Sequence, residues 1–227
     1  MFSILSTAEK FLSPLGVMLL VGVGGMLVCA CWRRRRFNLT VLQCIILTLL
    51  LTVCGVVGTI LLYRLESGSF GGLSLYGSVF LVPLVMPLFG FLFRLNPRKT
   101  MDLCGPCAPI MIGCLRINCF ISGCCGGWMA CVGDFCFTWP TQMIDSIADF
   151  AIMLWLLRTE EKQPHSGKLF PMFMVAYSVM RFLLEFLRDS RKDWLHMSPG
   201  QWFALAAILI GMLWLMALKK HGTKKFN

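Results

Sequence analysis

Residues 41–63 read VLQCIILTLLLTVCGVVGTILLY, a run that contains no charged side chain. At about 1.5 Å per helical residue, such a run crosses the roughly 30 Å hydrocarbon layer of a bilayer. Over the whole chain of 227 residues, 57% are hydrophobic and 14% are charged. One soluble core of this size cannot bury that much apolar surface. The composition therefore predicts an integral membrane protein.

Similar runs on both sides of this one predict an all-α fold with about seven transmembrane helices. The predicted spans are residues 14–31, 41–63, 72–93, 103–124, 143–157, 169–187 and 201–218. The fourth is interrupted by polar residues and glycine, and the fifth is short. We interpret the first run as a retained span, because no basic segment precedes it and no small-residue cleavage site follows it. Residues 1–227 are interpreted as a single polytopic membrane domain.

The basic residues predict the orientation of these helices, since short loops rich in Lys and Arg stay in the cytoplasm. Four arginines, residues 33–36, follow the first span, which predicts an external amino terminus and a cytoplasmic carboxyl terminus. In this orientation 14 basic residues lie inside, and five lie outside: Lys10, Arg64, Arg188, Arg191 and Lys192. The same bias explains most of the net charge of +10, so we do not expect a nucleic-acid partner.

Two arginines lie within the apolar runs. Arg116 and Arg181 are each about 13 residues into an outward-running span, which predicts one shared depth beyond the midplane. A charge near the centre of a transmembrane helix costs about 2.5 to 3.5 kcal/mol, so the pair needs a partner or an aqueous cavity. Glu185 and Arg188 follow Arg181 at i+4 and i+7 and share its helical face.

Other spans bring polar groups to the same outer level, namely Tyr76, Gln142 and Asp145. Each alone has a structural explanation, as an interfacial aromatic or as a polar residue at a helix start. Arg181 and Glu185 alone would fit a structural ion pair. The guanidinium groups outnumber the nearby glutamate, however, and the planar donor fork of arginine suits phosphate. This excess favours an anionic lipid head group as the missing partner.

Four motifs follow one another along the chain: LRINCFISGCCGG, WPTQMID, YSVMRFLLEFLRD and PGQW. In this order and spacing they resemble the motifs of prolipoprotein diacylglyceryl transferases, in a branch with paired cysteines in the arginine motif. The resemblance covers about residues 71–218. It implies transfer of the diacylglyceryl group of phosphatidylglycerol to the lipobox cysteine thiol of a prelipoprotein, with release of glycerol phosphate. It also implies a multi-pass protein of the bacterial cytoplasmic (inner) membrane that works at the outer leaflet beside membrane lipids. We expect a monomer without a cofactor.

The resemblance assigns roles to individual residues of this chain. The implied catalytic residues are Arg116, Arg181 and Tyr76. The implied substrate-binding residues are Gln142, Asp145, Glu185, Arg188 and Ser122. Tyr76 replaces the histidine that is proposed as the catalytic base of the family, and a tyrosine with a pKa of about 10 is a poorer base. The identity of the base therefore stays open. Further departures from the common motifs are Trp139 at a histidine, Cys119 at an asparagine and Cys124 at a glutamate.

The chain contains 12 cysteines, and those inside the spans are most simply small apolar residues. The motif CGPC, residues 104–107, has redox spacing but lies near the inner end of a span, without a thioredoxin-like context. Cys124, Cys125, Cys131 and Cys136 fall at or in an outer loop, where disulfides form if the environment is oxidising. Their number also permits a zinc site, but adjacent cysteines and irregular spacing argue against it, and we predict no metal.

Two other functions remain compatible with these residues. One is a related membrane transferase with a different lipid donor or acceptor, which the departures from the family motifs leave open. The other is a non-catalytic carrier of lipids or anions. A carrier is disfavoured because the chain shows no obvious inverted repeat and its charges lie near one face rather than at the midplane.

Overall fold

The computed structural model describes residues 13–68, 73–132, 135–164, 166–188 and 196–223. These ranges contain eight α-helices: α1 (Pro14–Phe37), α2 (Val41–Ser67), α3 (Tyr76–Leu92), α4 (Pro97–Cys104), α5 (Cys107–Ile121), α6 (Thr141–Lys162), α7 (Leu169–Leu184) and α8 (Pro199–Thr223). A 3₁₀ turn, Glu185–Leu187, extends α7. The prediction of a mostly helical membrane protein is confirmed.

Five stretches of the described chain are long and apolar enough to cross a membrane: Pro14–Phe37, Val41–Ser67, Pro97–Ile121, Leu169–Leu187 and Pro199–Lys220. Helix α3 is apolar but shorter, with 17 residues. Helix α6 has 22 residues, more than its predicted span, and includes the buried acids Asp145, Asp149 and Glu160. Several residues used for the predicted orientation and motifs lie outside the described ranges: Lys10, Gly71, Asp189, Arg191, Lys192, Lys224 and Lys225.

The predicted fourth span is two helices in the structure, and it begins earlier than predicted. Helix α4 starts after Asn96, whose side chain accepts a hydrogen bond from the Arg98 backbone N–H. Gly105 and Pro106 form the turn between α4 and α5. Proline has no N–H group and its ring clashes with the preceding helical turn, so the break falls where the sequence places Pro106. The two thiols of the CGPC motif are buried at this turn.

A short β-hairpin that the sequence did not predict lies between α5 and α6. Its antiparallel strands are β1 (Met129–Val132) and β2 (Phe135–Thr138). Cys131 and Cys136 face each other in this register and form a disulfide. Of the four outer-loop cysteines, Cys124 and Cys125 therefore remain as free thiols.

Arg33, which the sequence analysis assigned to a basic loop, is buried at the end of α1. Its Nε atom donates to Glu160 Oε2 at 2.7 Å, and its Nη atoms donate to the backbone carbonyls of Leu103 and Asp102. The Asp102 carboxylate in turn accepts from the backbone N–H groups of Gly167 and Leu169. These bonds join the ends of α1, α4 and α6 to the start of α7. We call this group the Arg33 cluster.

Helices α2 and α3 meet at two glycines, Gly58 and Gly77. A Cβ atom added at Gly77 would collide with the Gly58 carbonyl oxygen. Small residues at such contacts let helix backbones approach closely in a membrane.

Overpacking costs about 1 to 3 kcal/mol, so we expect Gly77→Ala to lower the melting temperature in detergent. Gly24→Ala is the matched control, because no neighbouring atom lies within 4 Å of its added Cβ. Equal melting temperatures for the two variants would contradict this packing.

Candidate active site

A cavity of about 580 Å³ opens between the ends of α2, α3, α7 and α8. Its described polar wall consists of Tyr63, Glu66, Ser67, Ser74, Tyr76, Arg116, Cys125, Tyr177, Arg181, Glu185, Arg188 and Ser198. The cavity thus collects the three predicted catalytic residues from three separate helices. Two of the predicted substrate-binding residues, Glu185 and Arg188, also line it.

Three arginines and two carboxylates form a continuous chain of ion pairs along this cavity. Arg116 Nε lies 3.2 Å from Asp145 Oδ2, and Arg181 Nη1 donates to the same oxygen at 3.3 Å. Arg181 Nη2 lies 3.1 Å from Glu185 Oε2, and Arg188 Nη1 lies 3.6 Å from that oxygen. Arg116, Asp145, Arg181 and Glu185 are 5%, 2%, 7% and 6% exposed, respectively. We call these five residues the arginine–carboxylate chain.

Asp145 changes the charge balance expected from the sequence. The sequence pattern indicates one glutamate near the arginines, whereas the structure adds Asp145 as a counter-ion shared by Arg116 and Arg181. The arginine–carboxylate chain therefore has three positive and two negative groups, a smaller surplus than expected. Asp145 contacts the arginines but is not part of the described cavity wall. Its contacts in the arginine–carboxylate chain are with the guanidinium groups of Arg116 and Arg181.

A second buried acid, Asp149, was missed in the sequence analysis. It lies one turn after Asp145 on α6, it is fully buried, and neither carboxylate oxygen has a hydrogen-bond partner among the described residues. The spacing of Gln142, Asp145 and Asp149 is i, i+3 and i+7, which places all three on one helical face. That periodicity was visible in the sequence and would have identified Asp149.

Tyr76 begins α3 and packs against a second tyrosine, Tyr177, with their ring centroids 5.8 Å apart. Both side chains are buried and line the cavity. Neither hydroxyl has a hydrogen-bond partner in the described part of the chain. Tyr177 was not among the predicted residues, although it precedes Arg181 by four positions and so shares its helical face. The structure thus brings two phenols to the arginines.

The remaining predicted substrate-binding residues lie away from the cavity wall. Gln142 Nε2 donates to the Cys124 backbone carbonyl at 2.6 Å, so it holds the loop after α5. Ser122 is the exposed C-terminal cap of α5. Neither belongs to the described lining of the cavity.

The loop after α5 brings three free thiols together. The Sγ atoms of Cys119, Cys124 and Cys125 lie within 4.8 Å of one another, and Cys125 also lines the cavity. A hydrogen bond from the Cys119 thiol and the positive charge of Arg116 lower the pKa of Cys125 to about 6, against the opposing effect of burial. Burial and the neighbouring Cys125 raise the pKa of Cys124. We call these residues the three-cysteine cluster.

Comparison with known proteins agrees with the resemblance of the motifs. The family model described as prolipoprotein diacylglyceryl transferase matches residues 12–217. A Clostridium perfringens protein named phosphatidylglycerol–prolipoprotein diacylglyceryl transferase 2 is 29% identical over 203 residues, which cover 78% of this chain and 79% of that protein.

Proteins named phosphatidylglycerol–prolipoprotein diacylglyceryl transferase in two further bacteria are also similar. The Clostridium tetani protein is 30% identical over 154 residues, and the alignment covers 62% of each chain. The Pseudomonas aeruginosa (strain LESB58) protein is 28% identical over 235 residues, covering 88% of this chain and 87% of that protein. With most of its length matched by the family model, this chain belongs to the prolipoprotein diacylglyceryl transferase family.

Proposed function

We propose that this protein transfers the diacylglyceryl group of phosphatidylglycerol to the lipobox cysteine thiol of a prelipoprotein. The observation that carries the proposal is the arginine–carboxylate chain, in which the buried guanidinium groups of Arg116 and Arg181 line a cavity of a membrane protein and are held by Asp145 and Glu185. The planar donor fork of a guanidinium group binds a lipid phosphate through paired hydrogen bonds. The names of the similar proteins support this donor and acceptor.

In the proposed reaction, the acceptor sulfur attacks the glycerol carbon that bears the phosphate ester. A C–S bond forms, the C–O bond breaks, and glycerol phosphate leaves with the electron pair. Arg116 and Arg181 bind the phosphate and stabilise the charge that develops on it. Their burial strengthens this interaction, because charges act more strongly where water is excluded. Asp145 and Glu185 hold the two guanidinium groups in position through the contacts described above.

Tyr76 is also a member of this proposed site. We assign it a contact with the reacting groups, because its side chain lines the cavity and its buried hydroxyl lacks a hydrogen-bond partner among the described residues. Arg188 binds the outer part of the head group, since its ion pair with Glu185 is the longest of the chain at 3.6 Å. Gln142 and Ser122 act on the substrates only through the loop after α5.

The five candidate spans, together with α3 and α6, make up the seven transmembrane helices of the proposed topology. Asp145 and Glu160 lie 15 residues apart on α6, which is about 22 Å along a helix. The arginine–carboxylate chain and the Arg33 cluster thus occupy opposite ends of this helix. We assign the Arg33 end to the cytoplasm and the cavity end to the outer leaflet of the bacterial inner membrane. We also propose that the protein acts as a monomer.

Reporter fusions test this orientation. Fusions after Arg36 and after Lys99 should report the cytoplasm, and a fusion in the loop of residues 126–138 should report the outside, because positively charged loops are retained inside. A cytoplasmic signal from the loop of residues 126–138 would put the cavity on the wrong side for an exported acceptor.

The activity is tested with purified protein, labelled phosphatidylglycerol and a peptide that carries a lipobox. We expect a diacylglyceryl thioether and free glycerol phosphate, and no product when serine replaces the peptide cysteine, since a hydroxyl ionises far less readily than a thiol. Tyr76→Phe should lower turnover while lipid binding is retained. Folded protein that binds the lipid but modifies no lipobox peptide would refute the proposed function.

A further inference from the structure

We propose that the three-cysteine cluster binds a thiophilic divalent cation of the zinc class, and that the open fourth position of this metal takes the acceptor thiol. The metal-binding part stands on the cluster alone, whereas the acceptor part rests on the proposed function. The proposal departs from the sequence-based expectation of no metal, which counted Cys131 and Cys136 among the candidate ligands. The disulfide between those two removes them and leaves a different set of thiols.

The sulfur positions suit one metal ion. All three Sγ atoms lie within 4.8 Å of one another. Tetrahedral zinc with Zn–S bonds of about 2.3 Å requires sulfur atoms about 3.8 Å apart. Closing the largest separation therefore takes about 1 Å of movement, which side-chain rotation supplies without a change of the backbone. Thiolates are the soft ligands that select such cations over magnesium or calcium.

The backbone around the cluster is held in place by its neighbours. The Cys124 N–H donates to the Cys119 carbonyl at 3.1 Å, which ties the loop to the end of α5. Gln142 and Thr141, at the start of α6, donate side-chain hydrogen bonds to the carbonyls of Cys124 and Cys125 at 2.6 and 3.2 Å. Such contacts around a metal site orient the ligands. In this proposal Gln142, which does not line the cavity, positions the backbone of a metal ligand.

The surroundings of the cluster fit a metal with an open position. Three protein ligands with a free fourth place are typical of catalytic zinc, whereas structural zinc has four. Cys124 and Cys125 are exposed, and Cys125 shares the cavity wall with Arg116 and Arg181. A metal bound by these thiols would therefore lie near the cavity that holds the proposed phosphate site.

A metal at this place would promote deprotonation of the acceptor thiol, for which Tyr76 is a poor base. The described residues that line the cavity include no histidine to serve as a base. A thiol that coordinates zinc loses its proton outright, and the proton passes to solvent. The metal-bound sulfur then attacks the glycerol carbon, the C–O bond breaks and glycerol phosphate leaves. The neutral thioether is a weak ligand and departs from the metal, which returns to its starting state.

Metal content gives the first test, independent of catalysis. Full-length protein in detergent, reduced with a phosphine and stripped of metal, is equilibrated with Zn²⁺, freed of excess ions and analysed by mass spectrometry of the metal. We expect about one zinc per chain and loss of most of it in Cys125→Ser and Cys119→Ser. Cys114→Ala is the matched control, because this free cysteine lies on the same helix outside the cluster.

Each variant is used only if it elutes as a single species and still binds phosphatidylglycerol, so that misfolding is not read as loss of a metal site. If both serine variants fail this criterion, Cys124→Ala and the zinc content of wild-type protein decide the question. Far less than one zinc per folded, reduced wild-type chain would overturn the proposal, as would equal zinc content in a cluster variant and in Cys114→Ala.

Spectroscopy of the Co²⁺-loaded protein tests the open position. A lipobox peptide added without lipid should produce a new sulfur-to-cobalt absorption band, and the serine peptide should not. An unchanged spectrum would overturn the acceptor role. Transfer at the full rate by metal-free protein would also overturn the acceptor role of the metal, but it would support the proposed transferase function. Bound metal and a peptide-dependent band, but no transfer from phosphatidylglycerol, would refute the proposed function and leave the metal site standing.

Discussion

Arg116→Lys and Arg181→Lys should each reduce kcat/KM for diacylglyceryl transfer by about 100-fold or more, although the positive charge is kept. Lysine is a point charge and cannot make the two parallel hydrogen bonds by which arginine holds a phosphate. Arg181 also spans two carboxylates, with nitrogen atoms 3.3 and 3.1 Å from Asp145 and Glu185. A single ammonium group cannot hold both contacts and a phosphate as well.

Arg188→Lys is the matched control for these variants. Its ion pair with Glu185 is longer, at 3.6 Å, and its side chain is more exposed, at 14% against 9% for Arg181. Exposed charge pairs contribute less, so the loss of turnover should be clearly smaller. Steady-state kinetics with a lipobox peptide measure the difference. Near-normal turnover in both Arg116→Lys and Arg181→Lys would mean that these arginines are structural.

Asp145→Asn should lower the stability of the protein as well as its activity. The neutral amide removes the ion pair of Arg116 within the arginine–carboxylate chain and leaves Arg181 with Glu185 alone. Removing one partner of a buried ion pair costs about 3 to 5 kcal/mol. We therefore expect a melting temperature in detergent well below that of the wild type, together with loss of transfer activity.

Asp149→Asn is the internal control for this prediction. Asp149 lies on the same helix at similar burial, but neither of its oxygens has a hydrogen-bond partner among the described residues. Asp149 acts on Arg116 and Arg181 only through longer-range electrostatic attraction and makes no hydrogen bond that the substitution could break, so the melting temperature should change less than in Asp145→Asn. Equal losses in the two variants would show that Asp145 does not act through its shared contact with Arg116 and Arg181.

Properties that depend on residues close together along the chain were predictable from the sequence. The membrane-spanning helices follow from apolar runs of sufficient length, as in residues 41–63. The proximity of Arg116 and Arg181 was predicted from residue counts along two spans, and both side chains contact Asp145 in the structure, although the span that carries Arg116 begins at Pro97 rather than at residue 103. The order of the motifs was enough to indicate the family that the family model confirms.

The tertiary structure alone decided which of these polar groups pair. Asp145 as the shared counter-ion of two arginines, and Glu160 as the partner of Arg33, join helices that are far apart in the chain. The same holds for the cysteines, since only the hairpin register joins Cys131 to Cys136 and leaves Cys119, Cys124 and Cys125 as free thiols. Hydropathy and residue spacing describe single helices, whereas ion pairs, disulfides and thiol clusters depend on distances between segments, which packing alone sets.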